Sequence, residues 1–286
     1  MTGIIRSSRD INRDWWQSFN SFEPKKREFI VSGNAYYGYC QRSKYTLRVV
    51  FVSLIPVAAR IASAEHELSE LLAYPQERLA AIIQEVGFRC DLCSRCCTRA
   101  FNGHVFLLDR DVAIAREIDP ESVEPAPFPE FCDQKGTFYV SGYALRARDD
   151  GCGSCYFLEN NRCRIYDKRF SICRVYPYML HREPDEQGVV DWRQIAGLDH
   201  HGEYHTEIPW IRCQEAAAET REYEIACIRQ EISFFEYIRD YFSRKHLRHV
   251  QKVFDDRMKA FASGEELQVM VFCNGRLEEH RIQNTR

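Results

Sequence analysis

Apolar residues recur at steps of three and four along the last third of the chain, which is the period of a helix with one buried face. The stretch after Cys213 contains neither glycine nor proline until Gly264. The apolar stripe comprises Ile225, Ile228, Ile232, Phe235, Ile238 and Phe242, and it continues through Leu247, Val250, Phe254, Met258 and Phe261. The pattern predicts a C-terminal helical segment facing the core, continued by a second helix or a kinked extension.

A terminal β-hairpin is predicted after this helical segment. Residues 269–273 and 276–282 are two runs of strand type joined by Asn274-Gly275. Asn-Gly favours a type I′ turn because both residues tolerate positive φ.

Two helices are predicted nearer the N-terminus. Residues 62–73 and 76–86 both have helical patterns, and Pro75 separates them because proline interrupts a helix. Gly87 is placed to end the second helix in a left-handed conformation.

Two short hairpins are expected in the middle of the chain. Residues 138–140 and 143–145 have strand character and suggest a hairpin near Gly142. Residues 152–165 predict another hairpin, which turns at Asn160-Asn161.

The charge pattern argues against several classes of partner. The chain has 39 basic and 42 acidic side chains, a net charge of -3, so no specific nucleic-acid partner is expected. Residues 1–60 carry ten basic and four acidic side chains, a net +6, but they lack a basic amphipathic helix. Residues 47–61 form the best apolar run, but charged residues and Pro56 interrupt it, so no membrane span is expected.

Cysteine is the unusual component of the composition. The chain contains thirteen cysteines, and the sequence does not open with a secretion signal, so we expect a cytoplasmic protein. Dense cysteine in a reducing compartment indicates metal ligation or redox chemistry rather than disulfides. Two groups hold most of them, Cys90, Cys93, Cys96 and Cys97 and then Cys152, Cys155, Cys163 and Cys173.

The spacing of the first group is typical of metal ligands. Two residues between cysteines form a tight loop that lets both thiolates face one ion. The triple Cys90, Cys93 and Cys96 also resembles the first three ligands of a bacterial-type ferredoxin. Neighbouring side chains in an extended segment point to opposite faces, so Cys96 and Cys97 cannot easily bind one tetrahedral ion together. Either one of the two is structural, or the pair serves two metals or two edges of a cluster.

Counting the candidates leaves the number of sites open. A zinc ion or a cubane cluster takes four protein ligands, and seven or eight thiolates suit two such sites or one larger assembly. Cys152 competes with Cys213 for the eighth place, and several of these thiols could instead be buried apolar residues. Cys40, Cys132, Cys227 and Cys273 are not expected to bind metal. The predicted metal ligands are Cys90, Cys93, Cys96, Cys97, Cys155, Cys163, Cys173 and Cys213.

Residues beside the ligands suggest supporting roles. Arg164, Arg169 and Arg174 could lower thiolate pKa values or form surface salt bridges. The segment 199–205 holds three histidines and two carboxylates, which could form a hard-metal or acid–base site or simply a polar loop.

Two motifs can be read from the sequence between residues 88 and 177. The first motif is Phe88 followed by Cys90-x2-Cys93-x2-Cys96-Cys97. The second motif consists of Cys155-Tyr-Phe-Leu158, Cys163-Arg-Ile-Tyr166, Arg169, Cys173-Arg174 and Tyr176-Pro177. Together they resemble the CxxCxxCC cysteine-cluster family, also called YkgJ-like. The resemblance spans about residues 88–177 and implies a domain that chelates zinc or iron, but it does not imply a reaction.

The chain departs from the family pattern at two positions. Ser94 stands where the family usually has glycine, and Phe170 stands where it usually has proline. Neither change removes a predicted ligand. The cysteine cluster is also similar to that of the flagellin lysine-N-methylases, although no glycine-rich loop for a methyl donor is evident.

These observations predict an α+β fold with three segments. Residues 1–61 are expected to be an N-terminal extension, partly disordered, and residues 62–213 a small cysteine-rich metal-binding domain with short hairpins and helices. Residues 214–286 would form the C-terminal helices and the terminal β-hairpin packing on it.

The predicted function is chelation of a metal ion or cluster. An iron–sulfur cluster (4Fe-4S) is slightly favoured over Zn²⁺, with a protein partner as a possible recipient. One alternative is an iron–sulfur-dependent enzyme, such as a protein lysine N-methylase. Another is a structural zinc domain in a protein complex.

Overall fold

The computed structural model describes residues 56–178, 180–184, 190–194 and 200–283. The predicted N-terminal extension lies outside the described residues as far as residue 55. The α-helices are α1 (Val57–Ala73), α2 (Gln76–Val86), α3 (Arg99–Asn102), α4 (Asp109–Ile118), α5 (Ser171–Val175), α6 (Trp210–Lys245) and α7 (Gln251–Ala262). The strands are β1 (Phe106–Leu107), β2 (Val123–Pro125), β3 (Phe131–Cys132), β4 (Phe138–Ser141), β5 (Tyr143–Leu145), β6 (Leu158–Glu159), β7 (Arg162–Cys163), β8 (Leu180–Pro184), β9 (Val190–Gln194), β10 (Glu266–Cys273) and β11 (Arg276–Gln283).

The strands form small sheets, and together with the helices they give the predicted α+β fold. A four-stranded sheet has the order β11-β10-β4-β3, and a three-stranded sheet has the order β1-β5-β2. The pairs β6-β7 and β8-β9 form two further two-stranded sheets. In the largest sheet β10 runs parallel to β4, whereas the other pairs are antiparallel. This parallel pair joins the cysteine-rich segment to the C-terminal segment.

The terminal hairpin is confirmed. Cys273 pairs with Arg276, and the turn between them has positive φ at Asn274 (49°) and Gly275 (73°). The hairpin at Asn160-Asn161 is confirmed in the same way, since both asparagines have positive φ and Glu159 pairs with Arg162.

The hairpin near Gly142 was wrongly predicted. β4 and β5 are consecutive, but they belong to different sheets. Gly142, with φ of 73°, turns the chain between them, and its N–H donates to the carbonyl of Phe272 in β10. A pairing distant in sequence therefore replaces the local one.

α6 contributes to all three apolar clusters of the core. Tyr223 packs in the cluster formed with the sheets, Ile228 packs in the cluster with α1 and α2, and Phe235 packs against β3 and β4. Burying each such side chain contributes about 1.5–3 kcal/mol before entropy is counted. The predicted stripe is confirmed: Ile228, Phe235, Ile238 and Phe242 are buried, and Ile225 and Ile232 pack against the core at its margin.

α1 and α2 pack along α6, and α2 ends just before the first cysteine loop. α1 starts at Val57, five residues before the predicted start, and α2 has the predicted bounds. The proposed segment boundaries after residues 61 and 213 therefore fall inside α1 and α6, and the three-segment division remains a prediction. Among the described helices, none combines the length and hydropathy needed to cross a membrane.

Candidate metal centre

The first cysteine motif leaves α2 through a glycine turn. Gly87 caps α2 in the left-handed conformation, with φ of 53°. Its carbonyl accepts from the Thr206 N–H at 3.0 Å, and the next residue, Phe88, donates its N–H to the hydroxyl of Tyr178 at 3.1 Å. These contacts fix the direction in which the cysteine loop begins.

The loop itself contains two residues in the left-handed region. Leu92 and Ser94 have φ of 62° and 63°. The Cys93 N–H donates to Asp91 Oδ1 at 3.0 Å, and the Ser94 hydroxyl donates to the carbonyl of Asn161 at 3.1 Å. The last contact ties the first loop to the turn of the β6-β7 hairpin.

Main-chain hydrogen bonds join the two cysteine motifs. The Cys155 N–H donates to the carbonyl of Cys97 at 2.8 Å. The N–H groups of Arg99 and Ala100 donate to the carbonyls of Gly153 and Cys152. The two motifs, although about sixty residues apart in sequence, therefore form one backbone assembly.

The remaining two cysteines of the second motif come from separate elements. Cys163 lies on β7, and Cys173 lies on α5. Asp111 anchors α5 at its first residue: its Oδ1 accepts from the Ser171 N–H at 3.1 Å and from the Ser171 hydroxyl at 3.0 Å. Both Asp111 and Ser171 are about 1% exposed.

Seven of the eight predicted ligands line one cavity of about 120 Å³. Its apolar walls include Phe88, Leu145 and Ile172. Cys90 and Cys93 are exposed, whereas the other five are half-buried. The seven are Cys90, Cys93, Cys96, Cys97, Cys155, Cys163 and Cys173.

Four of these thiols form an inner group, defined as Cys97, Cys155, Cys163 and Cys173. Burial raises the pKa of Cys155 to about 12 and also raises the pKa values of Cys163 and Cys173. Like charges on the neighbouring thiolates raise these pKa values further, and every pair within the group interacts in this way. The inner group is thus a set of four thiols that all interact with one another.

The other three thiols form an outer group, defined as Cys90, Cys93 and Cys96. The charge of Cys90 raises the pKa of Cys96, but the largest cause of that rise is a hydrogen bond to Cys97. The same bond lowers the pKa of Cys97, because it stabilises the thiolate there. Cys96 and Cys97 therefore sit at the junction of the two groups.

An aromatic wall stands beside the outer group. Burial raises the pKa of Tyr176, and the charges of Cys96 and Cys93 add to the rise. The Tyr176 hydroxyl lies 2.7 Å from Nε2 of His201, which lines the cavity and is about 7% exposed. The rings of Phe101 and His201 pack edge to face, with their centroids 4.8 Å apart.

His201 is the member of the histidine-rich segment that reaches the cavity. His200 is exposed, and Nδ1 of His205 lies 3.3 Å from the carbonyl of Glu85. Asp199 lies outside the described residues. Sequence spacing could not single out His201, because its place depends on packing against Phe88 and Phe101.

The three arginines of the second motif have different roles. Arg169 lines the cavity, and its charge lowers the pKa of Cys97. Arg164 pairs with Glu159 at 3.2 Å, and Arg174 pairs with Glu219 at 2.5 Å. Only the first of them offsets thiolate charge at the cavity wall, while the other two form the expected salt bridges.

The structure does not bring Cys213 to this cavity. Its side chain is buried among the apolar residues of α1, α2 and α6, and Sγ lies 3.8 Å from the carbonyl of Ile208. Cys152 is exposed and contacts Asp150 and Ser154 instead.

The other cysteines are placed as follows. Cys132 and Cys273 are fully buried, Cys227 is half-buried, and Cys40 lies outside the described residues. None of the three described ones lines the cysteine cavity.

The donor set fits a metal that prefers sulfur. In the part of the chain that the structure describes, no group of three or more His, Cys, Asp or Glu is placed so that it could hold a metal ion. The chemistry of the lining nevertheless matches zinc or iron, since thiolates are the ligands that Zn²⁺ and iron–sulfur clusters share. Seven thiols and the charge of Arg169 surround one cavity, and Asp91 is the single carboxylate among its described lining residues.

A thiol-lined cavity built from two cysteine motifs defines a metal-chelating domain. Residues 89–195 match the model of the CxxCxxCC family, whose description is "Putative zinc- or iron-chelating domain". This match confirms the resemblance seen in the motifs. The positive φ of Ser94 explains why glycine suits this position in the family pattern.

Comparisons with curated proteins and with solved structures gave no significant match. The similarity to flagellin lysine-N-methylases stays a prediction.

Proposed function

We propose that this chain is a metal-chelating protein with two metal centres, one in the inner group and one in the outer group. The observation that carries the proposal is that the adjacent residues Cys96 and Cys97 interact with different sets of thiols. Cys97 interacts with Cys155, Cys163 and Cys173, whereas Cys96 interacts with Cys90 of the outer group as well as with Cys97 and Cys173. Neighbouring thiolates that serve different centres avoid the strain of binding one tetrahedral ion together.

The inner group suits a closed site. Four thiolates complete a tetrahedral zinc site, or they hold the four irons of a cubane cluster. The ligands come from the first motif, from β7, from α5 and from the segment before β6, so metal bound there would cross-link four parts of the domain. We expect this centre to stabilise the fold.

The outer group suits a more accessible centre. Its three thiols have the ferredoxin-like spacing, and two of them, Cys90 and Cys93, are exposed. A 4Fe-4S cluster held by three thiolates would supply electron transfer and one iron without a protein ligand. Zinc with three protein ligands would likewise keep one open position. We favour iron–sulfur at this centre and zinc as its alternative.

Metal and sulfide analysis of anaerobically purified protein tests the proposal. Iron with acid-labile sulfide and thiolate-to-iron absorption in the visible range would support a cluster. A colourless protein with about two zinc ions per chain would support two zinc centres. Protein that contains neither metal after anaerobic purification, and binds neither on reconstitution, would refute the proposed function.

An iron–sulfur-dependent enzyme is the second candidate, and the open side of the outer group favours it. The wall beside these thiols is formed by Phe88, Tyr176 and His201. A substrate bound there could contact both the wall and a cluster held by the outer group. Protein lysine N-methylation is the named reaction. The assay supplies S-adenosylmethionine and a lysine-rich protein and measures methyl-lysine, with Cys93→Ser as the inactive control. No methyl transfer by cluster-loaded protein would refute this reaction.

Colourless protein whose zinc is released only on unfolding would instead favour a structural zinc domain. The cytoplasmic location and a protein partner that accepts the metal also remain proposals.

A further inference from the structure

A second cavity of about 380 Å³ lies between the edges of the two larger sheets. β2 is an edge strand of the three-stranded sheet, and β11 is an edge strand of the four-stranded sheet. The cavity, which we call the edge cleft, is lined by β2 and by residues 280–283 of β11, with Tyr143 among its other lining residues. Its volume falls in the range of about 300–1,000 Å³ that is typical of small-molecule sites. Among the cysteines that the structure describes, none lines it.

A chain of hydrogen bonds fixes the protonation of the residues along this cleft. Glu278 Oε2 accepts from Arg116 at 2.8 Å and from the Tyr143 hydroxyl at 2.6 Å. Burial alone would raise the pKa of Glu278, but these two hydrogen bonds, the charge of Arg116 and a further hydrogen bond from Arg276 outweigh it and lower the pKa to about 2. Glu278 is therefore a carboxylate that can only accept hydrogen bonds.

The same chain determines which nitrogen of His280 carries the proton. Tyr143 has one hydroxyl proton, which it donates to Glu278. Nε2 of His280 lies 2.7 Å from the same hydroxyl oxygen, so Nε2 must be the donor in that contact. Burial lowers the pKa of His280 and Arg116 lowers it further, while the charge of Glu278 raises it in part; the net effect is a lowered pKa, which favours the neutral ring.

A neutral ring protonated at Nε2 leaves a lone pair on Nδ1. The contact of His280 with the Tyr143 hydroxyl uses Nε2, and the ring lines the edge cleft, so Nδ1 is left to accept a hydrogen bond from a bound molecule.

An anion receptor lies in the same cleft. The side chain of Arg146 is only 17% exposed, and its ion-pair partner at 3.3 Å, Glu121, is 70% exposed. An exposed partner compensates a mostly buried guanidinium weakly, because solvent competes for the carboxylate. A ligand carboxylate in the cleft could form a better-shielded pair with Arg146.

The other charged side chains of the cleft favour a ligand that carries one positive and one negative group. The cleft is lined by three carboxylates, Glu121, Glu124 and Glu266, and by three arginines, Arg116, Arg146 and Arg281, so a dianionic phosphate would meet like charges beside the opposite ones. A ligand ammonium group would find these carboxylates, each of which already pairs with an arginine, besides the acceptor on His280. We propose that the edge cleft binds a free amino acid, with its carboxylate on Arg146 and its N–H donating to Nδ1 of His280.

The first test reads the tautomer of His280 directly. Long-range ¹H–¹⁵N correlation spectra of the full chain should show the proton on Nε2 and a lone pair on Nδ1. A proton on Nδ1 in the free protein would overturn the inference, because the acceptor would then be missing.

The second test measures binding by calorimetry with each free L-amino acid as the probe. At least one should bind saturably, and its amine and carboxylic-acid analogues, which each lack one charged group, should bind roughly tenfold or more weakly. Absence of saturable binding across the set would overturn the proposal.

Three variants locate that binding. His280→Gln keeps a donor for Tyr143 but places no acceptor at the position of Nδ1, and Arg146→Gln removes the charge, so both should weaken binding roughly tenfold. His66→Gln, at an exposed position on α1, should bind as the unaltered protein does. Unchanged affinity in the first two variants, with their folds intact by circular dichroism, would place the ligand elsewhere and refute the inference. The test does not depend on which metal the thiols bind.

Discussion

The buried carboxylate of Asp111 connects the packing of the core to the cysteine cavity. Its Oδ1 accepts both donors of Ser171, the first residue of α5, and α5 carries Cys173. Asp111→Ala would leave the Ser171 N–H without its acceptor in a site that water does not reach. The Ser171 hydroxyl would keep only the hydrogen bond that it accepts from Arg110 at 3.0 Å.

The expected cost follows from these two bonds. A buried hydrogen bond to a charged group contributes about 1.5–3 kcal/mol, and the hydroxyl bond adds about 1 kcal/mol. Burial also raises the pKa of Asp111, which means that desolvation of the charge offsets part of this gain. We therefore expect Asp111→Ala to lower the free energy of unfolding by about 2–3 kcal/mol. Asp111→Asn keeps an oxygen at the Oδ1 position and should cost less than about 1 kcal/mol.

Denaturant unfolding combined with metal analysis measures both consequences. Asp111→Ala should lose stability and also lose metal from the inner group, because α5 no longer holds Cys173 in place. Asp133→Ala is the matched control: Asp133 is equally buried and accepts from Thr137 and Tyr139, but it contacts no cysteine loop. It should lose stability and keep its metal. Equal damage from Asp111→Asn and Asp111→Ala would refute the hydrogen-bond argument, and unchanged metal content in Asp111→Ala would refute the link to Cys173.

Two further predictions concern the aromatic wall and the edge cleft. Gly202 has φ of 71°, and a methyl group there would press on the ring of Phe88, whereas Gly151 has a similar φ and open space around it. Gly202→Ala should therefore lower the free energy of unfolding, measured by thermal unfolding, by about 1–3 kcal/mol more than Gly151→Ala does. Equal losses of stability would contradict the predicted clash. Glu278 has a pKa lowered from 4.5 to about 2 in the folded state, so its contribution to stability is complete above pH 4.5 and is lost as the pH falls toward 2. The stability difference between the unaltered protein and Glu278→Gln should therefore shrink across that range, with Glu279→Gln as the exposed control, and a difference independent of pH would contradict the assignment.

Local sequence signals predicted the elements that depend on local physics. The apolar stripe from Ile225 to Phe242 predicted α6, because a helix must bury one face. Asn274-Gly275 predicted the terminal turn through its tolerance of positive φ. The spacing of the first cysteine motif predicted a shared loop, and all four cysteines of that motif line the cysteine cavity.

Pairings between distant segments left no local signal. β4 has the same strand character whether it pairs with β5, as predicted, or with β10, as found. Cys213 has the chemistry of a ligand, but its neighbours in the fold are apolar, so it packs as a small hydrophobic residue. His201 and the edge cleft were missed as sites for the same reason, since their partners come from elements far apart in sequence.

The most direct test of the two-centre proposal is the metal content of single variants at the adjacent pair. Cys97→Ser should lose the inner centre and retain the outer one, whereas Cys96→Ser should lose the outer centre and retain the inner one. Cys152→Ser, which alters an exposed thiol outside the cavity lining, should retain both centres. Complete loss of metal in both Cys96→Ser and Cys97→Ser would instead indicate one shared assembly and contradict the proposal.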